Sequence, residues 1–265
     1  MPTEQTEPEI LYTRIEQNDA AWAEIALNRP HKGNALTMPM LAQLAAIVSG
    51  IEADRSLRVV VIRARGRFFS TGGDISAWGA LSPHEMATDW ILPGIQVLQR
   101  IAALPQPVIA AVSGDALGGG LELALAADLR IAVRSAKLSV PEVAFGMISG
   151  WGGARRLAEI IGVARARHMT LLALPITAEQ ALDWGLVTAV AEDAADLDRQ
   201  LGAWVERLCA NRPEAMALTK GILATMHQDM RHHHASAAAE AAGTEDCREG
   251  VRAFVEKRKP VYGKR

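Results

Sequence analysis

The sequence predicts an α/β protein with a C-terminal helical extension. Segments with the pattern of β-strands alternate with segments of helical spacing as far as about residue 195, and beyond that point nearly every segment has the pattern of a helix. A chain of 265 residues that is 49% hydrophobic can also bury a substantial core. We therefore expect a core domain over residues 1–195, which includes a flexible arm at 1–9, and a helical region over 196–265.

The first elements predict a β-hairpin followed by a helix and a buried strand. ILYTRIEQ and AWAEIALN are strand-like segments on either side of Asn18 and Asp19, which favour turns. Residues 37–53 carry apolar side chains at helical spacing, and Thr37 precedes them as a candidate N-cap. RVVVIRA at 58–64 is a β-branched run that is typical of a buried strand.

The middle of the chain predicts further alternation of helix and strand. Residues 82–85 combine a capping box with proline at the first helical position, which predicts a helix to about Ala103. VIAAV at 108–112 and RIAVRS at 130–135 have the composition of strands, and between them an apolar helix is expected to begin near Gly119. A second capping box at 177–180 predicts a helix that ends at Gly185.

Charge and composition exclude several classes of function. The net charge is -2, and no basic run with interleaved aromatic residues occurs, so nucleic-acid binding is not expected. No apolar stretch reaches the roughly 18 residues of a membrane span, and the acidic start differs from a targeting peptide, so we expect a cytoplasmic protein that does not enter a membrane. Cys209 and Cys247 are far apart and lack a CxxC spacing, which predicts free thiols.

Two glutamates and two glycine-rich turns are candidates for chemistry. Glu122 lies within LELALAA and Glu142 follows a proline between apolar residues, although a single glutamate is most often a solvated surface charge. GRFFSTGGDI and LGGGLE each follow a predicted strand and leave backbone N–H groups free. Two such turns can aim two N–H groups at one oxygen, as the oxyanion of a reacting thioester requires. Alternatively, each turn serves only packing.

Competing motifs are absent or incomplete. The chain has no GxxxxGK[ST] or GxGxxG, which disfavours phosphate-loop and dinucleotide sites. Ser113 lacks the glycine two residues earlier that a nucleophile elbow requires, and Ser70 and His84 form no recognisable triad. The three histidines at 232–234 could suggest a metal, but successive helical side chains point in different directions, so a solvated helix face is favoured.

Four segments resemble the crotonase, or enoyl-CoA hydratase, family. They are ALNRPHKGNAL at 26–36, GRFFSTGGDI at 66–75, PVIAAVSGDALGGGLELALAADLRIA at 107–132 and PEVAFGMISGWGGARRL at 141–157. They occur in the order and spacing of that family, and EGVRAFVEKRKPVYGKR is similar to its usual C-terminus. The resemblance therefore covers nearly the whole chain.

The resemblance implies a fold and a reaction. The fold is a spiral core of repeated ββα units with C-terminal helices that help to build homotrimers, often paired into hexamers. The oxyanion amides fall at Gly73 and Gly119, and the catalytic acids at Glu122 and Glu142. Relatives that only shift a double bond commonly keep one glutamate, so the presence of both favours hydration of an enoyl-CoA. Coenzyme A arrives as part of the substrate, and no other cofactor and no metal is expected.

The resemblance also indicates residues that border the coenzyme A and the acyl group. Three segments contribute Lys32, Asn34, Ala35, Leu36, Gly72, Asp74, Ile75 and Gly118. Phe254 and Lys257 are expected near the coenzyme A of a neighbouring subunit, where an ammonium could contact a phosphate; alternatively, Lys257 is one charge of a basic tail. Trp151 replaces a residue that is often small in relatives, and either restricts the acyl chain or packs between helices.

Other functions share these features. Within the same family, the enolate chemistry also serves double-bond isomerisation, dehydration of a specialised hydroxyacyl-CoA and cleavage of a carbon–carbon bond. A catalytically silent scaffold or an RNA-binding relative would keep the fold without the reaction. The two intact glutamates and the lack of a basic patch favour an enzyme, and specifically a hydratase.

Overall fold

The computed structural model describes residues 7–17, 20–211, 213–223, 239 and 242–261. The strands are β1 (Ile10–Gln17), β2 (Ala20–Leu27), β3 (Leu57–Ala64), β4 (Val108–Val112), β5 (Ala116–Leu117), β6 (Leu129–Val133), β7 (Lys137–Ser139), β8 (Ile176–Thr177) and β9 (Ala189–Ala191). The α-helices are α1 (Met38–Ala53), α2 (Ile75–Trp78), α3 (Pro83–Glu85), α4 (Leu92–Ala103), α5 (Gly119–Leu125), α6 (Gly153–Ile161), α7 (Val163–Leu172), α8 (Ala178–Asp183), α9 (Ala194–Ala210), α10 (Pro213–Leu223) and α11 (Glu245–Val255). Short 3-10 helices occupy Pro30–Lys32 and Glu142–Phe145, and a π-helix occupies Met86–Ile91.

The main sheet has six strands in the order β1-β2-β3-β4-β6-β9. The pair β1 and β2 is antiparallel, which confirms the predicted hairpin, and each later pair is parallel. Residues 59–62 of β3 and all of β4 are fully buried, as the β-branched and alanine-rich runs predict. Helix α9 packs against β3, β6 and β9, while α1 and α4 pack against each other.

Side-chain caps set the starts of three helices at the predicted residues. The Thr37 hydroxyl accepts a hydrogen bond from the N–H of Met40 at 3.3 Å. Both expected capping boxes are present, at Ser82 and at Thr177. The helix after Thr177 ends at Asp183, and Gly185 has a φ of +77° two residues later. The predicted stop is therefore right to within two residues.

One predicted helix has a different internal geometry. The continuous helix expected to run to Ala103 is divided into α3, a π-helical turn and α4. Within it, the N–H of Leu92 donates to the carbonyl of Ala87, five residues earlier. Pro93 has no N–H, so it cannot continue the α-helical bonding pattern. The wider turn accommodates this break and places Trp90 inside the π-helical segment.

Short strand pairings draw the functional loops together. A small sheet has the order β5-β7-β8, and none of its strands was predicted. Single bridges also join Leu36 to Gly73 and Ser70 to Ala116. The turn that contains Gly73 is thereby held beside the loop that leads into α5.

Several sequence-based expectations concern absences or residues outside the described ranges. No helix within the described ranges is long and apolar enough to cross a bilayer. In the same residues no group of three or more His, Cys, Asp or Glu side chains could hold a metal ion. Cys209 and Cys247 are free thiols, as predicted. The turn residues Asn18 and Asp19 and the histidines at 232–234 lie outside the described residues.

Candidate active site

A pocket lies where the two glycine turns, the π-helical segment and the loop before α6 meet. Its empty volume is about 580 Å³, including the part open to solvent. It is lined by Thr71, Gly72, Gly73, Ile75, Trp78, Trp90, Ile91, Gly118, Gly119, Glu122, Pro141, Glu142, Phe145, Met147, Ile148, Gly150 and Trp151. We call this cavity the glutamate pocket, because both glutamates predicted from the sequence line it. It is the candidate active site.

Glu122 is a buried carboxylate with one oxygen fully engaged. It lies in the first turn of α5 and is 3% exposed. Its Oε1 accepts hydrogen bonds from the Ser149 hydroxyl at 2.8 Å, the Trp151 N–H at 2.8 Å and the Gly153 N–H at 2.7 Å. These donors hold the carboxylate in one orientation, and its second oxygen is left for a ligand.

The pKa of Glu122 reflects opposing influences. Burial raises it above its ordinary value, and this is the largest effect. The bonds from Ser149, Gly153 and Trp151 lower it, and so does the positive charge of Arg156. Arg156 is itself 7% exposed and donates to the Trp151 carbonyl at 2.9 Å. The three donors and Arg156 therefore oppose the effect of burial and favour the charged form of Glu122.

Glu142 has the opposite kind of surroundings. It is the first residue of the 3-10 helix Glu142–Phe145, and its Oε2 is buried with no hydrogen-bond partner among the described residues. Burial, followed by the charge of Glu122, raises the pKa of Glu142 to about 8. A carboxyl group with that pKa carries its proton at neutral pH. The pair thus combines a carboxyl group held by three donors with one that carries its proton near neutrality.

Two backbone amides face the same pocket. The Leu36 N–H donates to the Gly72 carbonyl at 2.7 Å and the Asp74 N–H to the Leu36 carbonyl at 2.8 Å, which fixes the peptide units on either side of Gly73. Gly119 is the first residue of α5, and neither its N–H nor that of Gly73 has a partner in the described part of the chain. A Cβ atom placed on Gly119 would lie 3.3 Å from the Gly73 nitrogen. The two loops are therefore close enough to address a single oxygen.

Glu142 lies beside this pair of amides. A Cβ atom placed on Gly118 would lie 2.9 Å from Oε1 of Glu142. Gly118 also has a φ of +50°, so a side chain there would be strained as well as crowded. The site brings together an acid, a base and two free N–H donors, which is the set that proton transfer next to a developing oxyanion requires.

Comparison with known proteins identifies the family. The family model described as enoyl-CoA hydratase/isomerase matches residues 17–265. This chain belongs to the enoyl-CoA hydratase/isomerase family. A probable enoyl-CoA hydratase of Bacillus subtilis (strain 168) is 36% identical to it, over 91% of this chain and 94% of that protein. A mitochondrial methylglutaconyl-CoA hydratase of Mus musculus is 32% identical, over 97% of this chain and 84% of that protein.

The architecture agrees with that of a solved relative. The crystal structure of an enoyl-CoA hydratase from Mycobacterium avium subsp. paratuberculosis K-10 superposes with a TM-score of 0.83 at 28% identity. The superposition covers 96% of this chain and 98% of that structure. The mixed α/β, crotonase-like fold expected from the resemblance is confirmed.

The family resemblance predicted loop residues beside the coenzyme A, and the structure separates them into two groups. Gly72, Ile75 and Gly118 line the glutamate pocket, whereas Lys32, Asn34, Ala35, Leu36 and Asp74 do not. Lys32 is exposed, and Ala35 is partly buried. Asp74 caps α2 by accepting from the Ser76 N–H at 3.0 Å, and it forms an ion pair with Arg29 at 2.7 Å.

Asn34 and Leu36 have structural surroundings. Both side chains are buried, at 0% and 1% exposure. The Asn34 amide donates to the carbonyls of Arg65 at 2.9 Å and Phe68 at 2.8 Å, and its side-chain oxygen accepts from the Arg29 N–H at 2.8 Å. These bonds use the amide to brace the loop. Only backbone atoms of Asn34 and Leu36 are suited to contact a ligand.

Of the two C-terminal candidates, Phe254 lies beside the pocket wall of the same chain. Phe254 is 53% exposed and packs edge-to-face on Phe145, a lining residue, with ring centroids 6.1 Å apart. Lys257 is exposed and has a φ of +52°. The expected approach of both residues to a neighbouring subunit's coenzyme A stays a prediction.

Sequence reasoning missed the residues that hold Glu122 in place. Ser149 and Gly153 lie within the quoted segment PEVAFGMISGWGGARRL, but their part as donors was not predicted. Arg156 was also missed. The sequence signal was the second of two successive arginines near the start of α6. Two adjacent helical side chains point in different directions, so one of the two could be buried, and a buried arginine generally requires a partner.

Proposed function

We propose that the protein is an enoyl-CoA hydratase, which reversibly adds water across the 2,3 double bond of a 2-enoyl-CoA to give a 3-hydroxyacyl-CoA. The observation that carries this proposal is the asymmetric pair of glutamates in one pocket, opposite two free backbone amides. A double-bond shift moves a proton along the acyl chain, whereas hydration needs a base for water and an acid for carbon. The two different carboxyl groups match the second requirement.

The amides of Gly73 and Gly119 act on the thioester oxygen. As the water oxygen bonds to C3, the electron pair of the double bond moves toward that oxygen and forms an enolate. Fixed donors bind the enolate oxygen better than the neutral carbonyl, so they lower the barrier. Removal of one such donor typically raises a barrier by roughly 2.7–4 kcal/mol.

The glutamates divide the proton transfers. Glu122, whose surroundings support a carboxylate, takes a proton from water as the C3–O bond forms. Glu142, which holds a proton at neutral pH, delivers it to C2 as the enolate collapses. The product has gained one hydroxyl and one hydrogen, and the pair regains its starting state by passing a proton from Glu122 to Glu142. Each transfer contributes about 100- to 10,000-fold in rate.

Binding and assembly complete the proposal. The acyl-CoA is the only partner that the pocket itself requires, because coenzyme A belongs to the substrate. A homotrimer, or a hexamer made of two trimers, and a cytoplasmic location are further parts of the proposal, and they rest on the family resemblance and on the sequence. Light scattering on the purified chain measures the assembly.

The experiment follows the ultraviolet band of a conjugated enoyl thioester with crotonyl-CoA. We expect the wild-type protein to bleach the band and to form a product heavier by one water. Glu122→Gln and Glu142→Gln should each bind the ester with little change and lose about 100- to 10,000-fold in kcat. Near-normal turnover in both variants, or a product of unchanged mass, would overturn the proposal.

A further inference from the structure

Trp151 is a buried side chain that lines the glutamate pocket. It is 2% exposed, and its indole N–H donates to the carbonyl of Trp90 at 3.2 Å. The two indole rings have centroids 5.2 Å apart at an angle of 43°. The earlier alternatives for Trp151, a pocket wall or a packed interface, are therefore not exclusive, because the same ring lines the pocket and packs on the π-helical segment.

Glycines on two elements make room for this ring. A Cβ atom on Gly94 of α4 would collide with the indole nitrogen side of Trp151. A Cβ atom on Gly119 would lie 2.6 Å from Cζ3 of the same ring. The indole thus fills the gap between α4 and the oxyanion loop, so it cannot swing away to admit a ligand.

Two further tryptophans extend the surface. A Cβ atom on Gly73 would lie 2.6 Å from Cζ2 of Trp90 and 3.3 Å from Nε1 of Trp78. The three indoles of Trp78, Trp90 and Trp151, which we call the tryptophan wall, therefore lie against both glycines of the oxyanion pair. An acyl group whose carbonyl is bound there must extend along this wall.

The charge of the pocket restricts what can lie beyond the double bond. Glu122 and Glu142 are the acidic residues that line it, and no lysine, arginine or histidine is among the lining residues. A carboxylate at the end of the acyl group would meet Glu122 and would have no cationic partner. The nucleotide end of coenzyme A is large and anionic, so it lies outside at the open mouth, and the closed end receives the acyl tail.

We propose that Trp151, supported by Trp90, is the specificity-determining residue that ends the acyl pocket, and that the acyl group is therefore short, uncharged and apolar. This inference rests on the proposed function, because it assumes that the pocket binds an acyl thioester. It goes further, since the same reaction serves long, branched and charged acyl groups. The position of the wall selects among them.

The test of length uses binding as well as turnover. Saturated acyl-CoA esters from four to twelve carbons are titrated calorimetrically into the full-length wild-type protein, Trp151→Ala and Trp151→Phe, and the matching 2-enoyl esters are assayed for hydration. Trp204→Ala is the matched control, because it removes an indole from α9, outside the pocket lining. Circular dichroism and thermal melts verify that each variant folds.

We expect wild-type affinity and kcat/KM to fall by about tenfold or more once the chain exceeds six carbons. In Trp151→Ala the affinity should instead rise by about fourfold for each added methylene, because the vacated space buries it. Trp151→Phe and Trp204→Ala should keep the wild-type length profile. Equal length profiles in wild type and Trp151→Ala would overturn the inference.

If Trp151→Ala does not fold, the wild-type profile decides alone, and a steady rise of affinity to twelve carbons would overturn the inference. The binding series also separates two failures. A wild-type protein that binds short esters selectively but hydrates none would overturn the proposed function only. A wild-type protein that hydrates long and short esters equally would disprove the limit that Trp151 sets on acyl length and leave the proposed function intact.

The test of charge uses acyl groups of matched shape. An enoyl ester that ends in a tert-butyl group is compared with its trimethylammonium isostere and with an ester that ends in a carboxylate. We expect the kcat/KM of the neutral ester to exceed that of each charged ester by about tenfold or more. A leading carboxylate ester would contradict the charge argument. A leading trimethylammonium ester would show that the tryptophan wall recognises cations, as aromatic cages do, and would overturn the uncharged assignment.

Discussion

The start of α5 and the 3-10 helix Glu142–Phe145 each present one glutamate to the same pocket, and they treat it in opposite ways. Glu122 receives three hydrogen bonds on one oxygen and lies near a buried arginine. Glu142 has a buried oxygen with no partner and a carboxylate neighbour. Burial raises the pKa of both side chains, but only Glu122 has hydrogen-bond donors and a nearby positive charge that oppose the rise, so two identical side chains have different surroundings in one pocket.

The largest loss of kcat is expected when both carboxyl groups are removed. One variant combines Glu122→Gln with Glu142→Gln. If the glutamates act as one unit, its kcat should lie within about tenfold of the kcat of the slower single variant. Each single variant should already lose about 100- to 10,000-fold in kcat. Steady-state hydration of crotonyl-CoA measures all three. A double loss equal to the product of the single losses would show that the two glutamates act independently.

The pH dependence tests which glutamate holds the proton. Since hydration needs protonated Glu142, kcat should fall about tenfold per pH unit above about pH 8, where Glu142 loses its proton. In Glu122→Gln the fall of the residual kcat at alkaline pH should begin at a lower pH, because the negative neighbour that raises the pKa of Glu142 is gone. A limb that stays in place would contradict the coupling between the two side chains.

Substitution of Arg156 changes the charge near Glu122 while both glutamates stay in place. In Arg156→Met the pKa of Glu122 should rise, because its nearby positive charge is lost. Each unit of that rise removes about tenfold of the ionised base at a pH below the new pKa, so kcat should fall by about that factor at neutral pH, and its decline toward low pH should begin at a higher pH than in wild type. Pre-steady-state and pH profiles measure this, with Arg156→Lys as the charge-conserving control.

Ser149 allows the smallest change. Ser149→Ala removes one of the three donors to Oε1 and leaves the Trp151 and Gly153 amides in place. A hydrogen bond to a charged group contributes about 1.5–3 kcal/mol, so we expect a comparable loss of unfolding free energy and a kcat loss smaller than that of Arg156→Met. Denaturant titration and kinetics measure the two effects. If kcat declines toward low pH over the same pH range in this variant as in the wild type, the two amides alone hold Glu122.

The sequence predicts the elements that depend on local chemistry. The hairpin, the buried strands and the starts of the capped helices follow from alternation, β-branched runs and residues such as Thr37, Ser82 and Thr177. The short strands β5, β7, β8 and β9 were missed because two or three residues carry no periodicity. They form only because distant segments pair.

The candidate site follows the same division. The identity of Glu122, Glu142 and the glycine turns could be predicted from motif resemblance, and the structure brings them into one pocket. The difference between the glutamates could not, because the donors to Glu122 lie 27–31 residues further along the chain. The buried, unpartnered oxygen of Glu142 is likewise a property of packing. A motif specifies which groups are present, and tertiary contacts specify which donors and charges surround each of them.

The π-helical segment Met86–Ile91 has an evolutionary consequence. The direction of Trp90 depends on a backbone turn that contains one residue more than a regular helix would. Deletion of a single codon there would restore regular winding, and it would change the direction of the side chains inside the segment while the flanking helical turns keep their places. A lineage could thus reshape its acyl pocket through one insertion or deletion, with all three tryptophans still encoded.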